Sequence, residues 1–477
     1  MSARPAGLRR PLVVVALALV TLGALGGACA QPEDGPVDGS ADGASDVDPP
    51  SDPVHDPLSR PVTPTLSPAD FHSATRCGAC HVQHYAEWSR SSHAYAVVDP
   101  VFRKLVAIRQ ADFEGAQDQF CMQCHTAIGT RGGEVVPNFR FEDLSPIVQE
   151  GITCEACHRV SGLARVYNAG HVLDPSGPIR GPIEDPAESG FHASEGSPLF
   201  RDSAFCGACH DVLEVDGLPL ERPYAEWLAS PAYADGRTCQ DCHMPTYFGQ
   251  AAPLAPERDL HSHAWVGVDV PLEPSFATPD VVAAIREEVA ALLDGAAGLT
   301  VTGPAEVRAG GQLDLLVTVT NRVDGHSLPT GSTFLRQLWL EVVASDASGR
   351  IVYETGGLDA NGDLRNYWSE LDPFGDPDLV SFGSNFVNDR GEPELFSWRA
   401  ALHTSTAIPP GYARTVTLFV PVPGDATGPI TIAARVRFRS VPPFLLRKLD
   451  LGRFVPDVSV FDLASAALTI PVASAPR

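Results

Sequence analysis

The sequence has little methionine, little positive charge and almost no cysteine outside one recurring pattern. Three of its 477 residues are methionine, and 34 Lys and Arg stand against 59 Asp and Glu, a formal net charge of −25. Such an acidic chain is a poor partner for nucleic acid or an anionic membrane surface. Scarce methionine leaves few thioether ligands for a metal. Ten of the eleven cysteines belong to the pattern Cys-x-x-Cys-His, so we expect no disulfides.

The pattern Cys-x-x-Cys-His occurs five times, in the segments 77–81, 121–125, 154–158, 206–210 and 239–243. Two thiols at this spacing can both add to the vinyl groups of one haem, and the adjacent histidine then becomes the proximal ligand of the iron. A single copy is also compatible with a redox dithiol or half of a zinc site. Five copies that use ten cysteines favour five covalent haem c groups.

The predicted site residues follow directly from the pattern. The predicted thioether cysteines are Cys77, Cys80, Cys121, Cys124, Cys154, Cys157, Cys206, Cys209, Cys239 and Cys242. The predicted proximal ligands are His81, His125, His158, His210 and His243.

Residues 1–30 have the features of an export signal, because three arginines precede an apolar run over 12–28 and small residues follow. Two processing sites compete. Leu25 to Cys29 resembles a lipobox in which Cys29 would be lipidated, although the branched residue is one place too far back. Ala28-Cys29-Ala30 would instead be a cleavage site that discards the cysteine. We favour the lipoprotein, which implies an exported protein of the periplasm or cell surface of a bacterium.

Composition divides the rest of the chain into four segments. Residues 31–66 are predicted to be a disordered acidic tether, since most of this stretch is Asp, Glu, Pro, Gly and Ser. Residues 67–275, with few amphipathic runs, are predicted to be a mostly α-helical or irregular pentahaem region. Residues 276–298 hold a connecting helix, because apolar residues recur at helical spacing over Asp280–Leu293. Residues 299–477 contain alternating apolar runs and no cysteine, and are predicted to form an all-β, sandwich-like domain.

The haem region contains two internal repeats. The segments around Phe120-Cys121 and Thr153-Cys154 recur 85 residues later, and CGACH followed by Tyr-Ala-Glu-Trp occurs at both Cys77 and Cys206. These repeats imply different alignments, so we predict duplicated haem-binding units without a fixed register.

The distal ligands are predicted to be histidines, since ten histidines remain after the proximal five and no methionine is placed to reach across its own haem. Ligation by histidine on both faces lowers the reduction potential relative to His/Met haems. The distal candidates are His93, His263, His261, His326, His171 and His192. His263 is preferred over His261. His326 lies in a Gly-His-Ser-Leu-Pro-Thr-Gly turn of the β-domain, where it is either a structural turn residue or a ligand that joins the two domains.

The motifs together with Tyr-Ala-Glu-Trp, Ser-Ser-His-Ala and CQDCHMP resemble the cytochrome c554/c-prime-like multihaem cytochromes over roughly 67–267. The turn at His326, with Arg336 and Trp339, resembles a β-domain appended to some bacterial multihaem cytochromes. The resemblance implies closely packed, mostly bis-His haem pairs in an exported electron-transfer protein. The related nitrite reductases replace one proximal histidine by lysine and the hydroxylamine oxidoreductases carry eight haems. Neither activity carries over to this chain.

Three functions remain open. The first is an electron carrier with redox proteins as donor and acceptor. The second is an oxidoreductase of a small nitrogen or sulfur compound, which requires one haem with an open distal face. In the third, the β-domain docks a redox partner or a surface polymer. The carboxylates Asp372, Asp376 and Asp378 are a weaker candidate for calcium, against a solvated loop.

Overall fold

The computed structural model describes residues 64–426 and 428–473. All of these residues belong to one compact unit. The predicted export signal, Cys29 and most of the acidic tether lie outside the described residues. Within the described ranges, none of the helices combines the length and the apolar character that crossing a membrane requires.

The region that carries the five motifs is built from short helices. They are α1 (Ala74–Gly78), α2 (Val82–Trp88), α3 (Ser92–Tyr95), α4 (Pro100–Asp112), α5 (Asp118–His125), α6 (Ala127–Arg131), α7 (Pro146–Gln149), α8 (Cys154–His158), α9 (Ser203–Gly207), α10 (Pro223–Leu228), α11 (Pro231–Ala234) and α12 (Cys239–His243). Side-chain caps begin several of them. Ser73 accepts a hydrogen bond from the N–H of Thr75, and Asp202 accepts one from the N–H of Ala204. Helices this short are marginal alone and depend on tertiary contacts.

The same region contains four two-stranded ribbons. They are β1 (Val160–Leu163) with β2 (His171–Leu173), β3 (Ile179–Gly181) with β4 (Ser194–Gly196), β5 (Val212–Leu213) with β6 (Pro219–Glu221), and β7 (Thr246–Gln250) with β8 (Glu257–His261). The pair β3–β4 is parallel and the other three are antiparallel. Buried apolar side chains in this region form small separate clusters around Phe71, Trp88 and Phe102 rather than one core. Small separate clusters are the packing expected of a region in which porphyrin rings would occupy much of the interior.

The predicted connecting helix is present as α13 (Pro279–Leu293). Ile285, Val289 and Leu293 recur every four residues and are buried in the core of the β-domain. The opposite face bears charge, and Glu288 binds Arg90 of the haem region at 2.7 Å. The helix therefore contacts both regions.

The C-terminal region is a β-domain with two main antiparallel sheets. Its strands are β9 (Ala297–Thr302), β10 (Val307–Arg308), β11 (Gln312–Asn321), β12 (Gln337–Ser345), β13 (Ile351–Thr355), β14 (Val380–Phe382), β15 (Ser384–Val387), β16 (Pro393–Glu394), β17 (Leu402–Ser405), β18 (Ala413–Pro421), β19 (Ile430–Arg439), β20 (Phe461–Ile470) and β21 (Val472–Ala473). One sheet has the order β18-β11-β9, and the other has the order β13-β12-β19-β20 with β14 also on β12. Alternate residues of β11 and β19 enter one shared apolar core.

The two regions pack closely against each other. Helix α14 (Pro443–Lys448) of the β-domain buries Phe444 and Leu445 in a cluster that includes Val101 of α4. Near the other end of α4, Asp112 accepts hydrogen bonds from Trp398 at 2.6 Å and from Arg399 at 2.7 Å. The β-domain is thus fixed on the haem region.

Candidate haem centres

The motif cysteines lie in contact in pairs that join different motifs. Thiols of different motifs lie close enough to shift each other's pKa, and they join the first motif to the third, the second to the fourth, and the fourth to the fifth. The pairs are Cys77 with Cys154, Cys124 with Cys209, and Cys206 with Cys239. Cys157 of the third motif also lies close enough to Cys206 for an electrostatic interaction. None of the ten forms a disulfide within the described residues. The five motifs therefore form one connected cluster.

Four of the five proximal histidines face a second histidine at one characteristic spacing. A bond from a metal to imidazole nitrogen is about 2 Å, and the ring centre lies about 1 Å further out, so two imidazoles on opposite faces of one iron have centroids about 6 Å apart. The observed centroid distances are 6.3 Å for His81–His192, 6.1 Å for His158–His263, 6.3 Å for His210–His93 and 6.2 Å for His243–His326. These residues fit an iron porphyrin held between each pair.

Hydrogen bonds orient most of these rings with Nε2 free. The Nδ1–H groups of three proximal histidines donate to backbone carbonyls: His81 to Ala251 at 2.7 Å, His125 to Ala96 at 2.8 Å and His158 to Arg180 at 2.6 Å. Of the facing rings, His263 donates from Nδ1 to the carbonyl of His261 at 2.9 Å and His326 to that of Ser327 at 3.0 Å. A metal-bound histidine commonly donates its other ring N–H in this way, which fixes the tautomer and the ring orientation.

Burial favours the neutral form of three of these imidazoles, which is the state that binds iron. Burial lowers the pKa of His93 to about 3 and that of His263 to about 3, and the neighbouring His210 and His158 add to the respective effects. Burial and the nearby His326 lower the pKa of His243 to about 4.

His81 has a second histidine at similar spacing, His84, with ring centroids 6.2 Å apart. His84 lies one helical turn after His81, so the two side chains leave the backbone on neighbouring positions rather than on opposite faces of a porphyrin. Its Nε2 is also 3.2 Å from the hydroxyl of Tyr247, whereas the Nδ1 of His192 lies 3.1 Å from the hydroxyl of Ser194 and its Nε2 carries no such bond. His192 is therefore the better ligand for this centre.

The structure does not pair His171 or His261 with a proximal histidine. The Nε2 of His171 hydrogen-bonds the carbonyl of Phe205 at 2.8 Å, and its Nδ1 lies 3.5 Å from the sulfur of Cys209. His261 closes the ribbon β7–β8, where its Nδ1 hydrogen-bonds the carbonyl of Met244 at 2.8 Å. His171 therefore contacts the segment of the fourth motif, and His261 contacts the residue that follows the fifth motif.

The second motif differs from the other four. Among the described residues, no histidine lies at the 6 Å spacing from His125. Its ring stacks instead on Phe102, with centroids 3.7 Å apart and planes 6° from parallel. Met122 of the same motif is fully buried in the Phe102 cluster. The residues present supply this centre with a proximal ligand and no second imidazole.

A buried ion pair lies beside the second motif. The guanidinium of Arg109 forms a bidentate pair with Glu214, at 3.0 and 2.9 Å, and both side chains are about 3% exposed. The same guanidinium lies 4.2 Å from the ring centre of Phe120, and Ser397 of the β-domain donates to Glu214 at 2.5 Å. No spacing in the sequence identifies this pair, because its members are 105 residues apart.

The candidate calcium carboxylates do not converge. Asp376 accepts hydrogen bonds from Thr355 at 2.9 Å and from the N–H of Gly356 at 2.7 Å, and Asp378 accepts one from Tyr353 at 2.9 Å. In the described part of the chain, no three His, Cys, Asp or Glu side chains gather as a metal site. Asp376 and Asp378 therefore hold local structure of the β-domain.

The fold and these centres define a multihaem c-type cytochrome with a β-rich C-terminal region. Residues 76–159 match the family described as cytochrome c554 and c-prime. No curated protein matches the chain.

A solved structure that matches most of the chain shares its fold. It is a penta-haem cytochrome c552 from Thermochromatium tepidum, 19% identical, which covers 85% of this chain and 100% of its own with a TM-score of 0.58. Two other structures each cover 38% of the chain. The C-terminal domain of Wzt is 10% identical over 77% of its length with a TM-score of 0.19, and a CARDB domain from Pyrococcus furiosus is 13% identical over 91% with a TM-score of 0.17.

Proposed function

We propose that the chain is an exported pentahaem electron-transfer protein in which four haems are bound by histidine on both faces. The observation that carries the proposal is the set of four imidazole pairs at 6.1–6.3 Å, each containing one motif histidine. Haem supplies the one-electron chemistry when bound. The polypeptide supplies the ligands, their orientation and a buried environment. Bis-His ligation implies low reduction potentials.

The contacts between motif cysteines support one route for electrons. The first motif contacts the third, the third lies next to the fourth, and the fourth contacts both the second and the fifth. The fourth motif, at Cys206, is therefore the branch point of the proposed route. We propose that redox proteins are the electron donor and acceptor. We also propose that the protein is exported and carries an N-terminal lipid anchor, because residues 1–30 have the features of an export signal with a lipobox.

Two measurements test the proposal. Intact mass and a haem-to-protein ratio of the exported protein should show five covalent haems. Low-temperature EPR of the oxidised protein should show four low-spin bis-His signals. Unmodified thiols, or a majority of high-spin haems, would contradict it.

A second function is favoured by the second motif, where His125 has no imidazole partner among the described residues. An open distal face at this haem would let a small nitrogen or sulfur compound bind. The test is titration of the reduced protein with carbon monoxide. Binding of one molecule per chain supports an accessible haem at Cys121–His125. Absence of binding would contradict this second function and leave the electron carrier as the proposal.

If one molecule of carbon monoxide binds, the variant His125→Met tests whether it binds at the haem of the second motif. The new thioether ligand should change the spectrum of the carbon monoxide adduct. His81→Met is the matched control, because the first motif has His192 on its other side, and it should leave the adduct spectrum unchanged.

A further inference from the structure

The two Tyr-Ala-Glu-Trp segments make the same contacts in two places. In α2 the ring of Tyr85 covers Gly78 of the first motif so closely that a Cβ at that glycine would lie 2.5 Å from the ring. In α10 the ring of Tyr224 covers Gly207 of the fourth motif with the same 2.5 Å approach. Glycine is required at both positions because the aromatic ring occupies the side-chain space.

The tryptophans of the two segments also have matching partners. Trp88 donates its indole N–H to the carbonyl of Ile152 at 2.8 Å, and Trp227 donates to the carbonyl of Arg237 at 2.9 Å. Each acceptor lies two residues before the first cysteine of another motif, the third in one case and the fifth in the other. Each helix therefore fixes the start of a second motif.

The glutamates complete the match. Glu87 accepts a hydrogen bond at 2.7 Å from the backbone N–H of His263, whose ring faces His158 of the third motif. Glu226 accepts one at 3.1 Å from the N–H of Ser327 and another at 2.5 Å from the hydroxyl of Thr330. These two residues belong to the turn that carries His326, whose ring faces His243 of the fifth motif.

The chain therefore contains two equivalent units, one with the first and third motifs and the other with the fourth and fifth. The first cysteines of the two motifs are in contact in both units. The units differ where the first has His93 and the second has Ala232. The N–H of Ala232 donates to the carbonyl of Asp324 at 3.2 Å, and Asp324 pairs with Arg237 at 2.5 Å. The position that His93 occupies in one unit is occupied in the other by Ala232, which contacts the β-domain.

We infer that Glu87 and Glu226 are positioning residues. Glu87 fixes the segment that supplies the distal histidine of the third motif, and Glu226 fixes the segment that supplies the distal histidine of the fifth motif. Glu87 acts within the haem region on His263, and Glu226 acts across the domain boundary on His326. A carboxylate that accepts backbone N–H bonds is a strong, directional anchor. This inference rests on the proposed function, in which these two histidines bind iron.

The test uses the full-length holoprotein and the variants Glu226→Ala, Glu226→Gln and Glu87→Ala. In Glu226→Ala the turn loses its acceptor, so one of the low-spin EPR components should be lost or shifted and the potential of one haem should rise. Glu226→Gln keeps a side-chain oxygen that can accept the same bonds, so it should retain the wild-type spectrum. Glu87→Ala should alter a different component, because it acts on the third motif.

Thr330→Val supports the test if Glu226→Ala does not fold. It removes one of the two bonds at Glu226 and leaves the carboxylate in place, so it should shift the same component by a smaller amount. The reference is His326→Ala, which should change the spectrum. If it does, an unchanged spectrum in Glu226→Ala would overturn the inference. If Glu226→Ala does not fold, an unchanged spectrum in Thr330→Val would overturn it instead. If His326→Ala also leaves the spectrum unchanged, the proposed ligation itself fails.

Discussion

The ring of His326, on a turn of the β-domain, lies 6.2 Å from the ring of His243, the last residue of the fifth motif, with the two planes 20° apart. The two residues are 83 positions apart in sequence and belong to different regions. If His326 binds the iron as proposed, the β-domain contributes a ligand to one centre, and we expect its stability and the ligation of that haem to be coupled.

Replacing His326 by alanine should convert one haem from low-spin to high-spin. The variant removes the imidazole that faces His243 and leaves the rest of the turn held by Glu226. EPR of the oxidised protein should show the loss of one low-spin component, and the haem content should remain five. His403→Ala is the matched control, since the Nε2 of His403 is bound to Ser384 at 2.9 Å within the β-domain. A changed low-spin spectrum in that control would contradict the assignment of His326.

Removing Glu214 should strongly destabilise the protein near the second motif. Glu214→Ala leaves the buried guanidinium of Arg109 unpaired, and breaking a buried ion pair in this way costs about 3–5 kcal/mol. The measurement is chemical denaturation followed in the Soret band. Glu392→Gln is the control, because its pair with Arg390 is exposed and should contribute less than about 1 kcal/mol. Equal effects of the two variants would contradict the prediction.

Two neighbouring leucines of β11 should differ sharply in importance. Leu315 is fully buried in the β-domain core and Leu316 is 48% exposed. Leu315→Ala should cost about 2–5 kcal/mol of unfolding free energy, whereas Leu316→Ala should change it by about 0.5 kcal/mol. In samples heated and then frozen for EPR, the Leu315 variant should also lose the low-spin signal assigned to His326 at a lower heating temperature. An unaffected signal up to global unfolding would show that the β-domain and the fifth centre are not coupled.

Asp99 should make the stability fall as the pH rises towards neutrality. Burial, with the neighbouring Asp269, raises the pKa of Asp99 from about 3.8 to about 7. A carboxyl with a raised pKa in the folded state stabilises fully below its unfolded pKa, and this stability is lost as the pH rises through 7. Asp99→Asn keeps the helix cap on Val101. Melting temperatures at pH 5 and pH 8 should therefore differ less in Asp99→Asn than in the wild type, and an equal difference would contradict the prediction.

The sequence by itself determined the class of cytochrome and the presence of a β-rich C-terminal region. The spacing of Cys-x-x-Cys-His is local, so Cys77 to His81 and its four repeats predict attachment sites without knowledge of the fold. Alternating and helical apolar patterns are also local, and they located α13 and the main strands of the β-domain. The excess of histidine over methionine indicated the type of distal ligand.

Only the tertiary structure decided which residues meet. It placed the rings of both His192 and His84 about 6 Å from that of His81, gave His171 contacts with the fourth motif and His261 a contact with Met244, and left His125 without an imidazole partner among the described residues. It also showed that the two Tyr-Ala-Glu-Trp segments make equivalent contacts, through Glu87 in one and Glu226 in the other. The sequence had left this alignment of the repeats open. The reason is physical: a distal ligand must approach from the opposite face of the porphyrin, so it comes from a remote segment whose position depends on the packing of the whole chain.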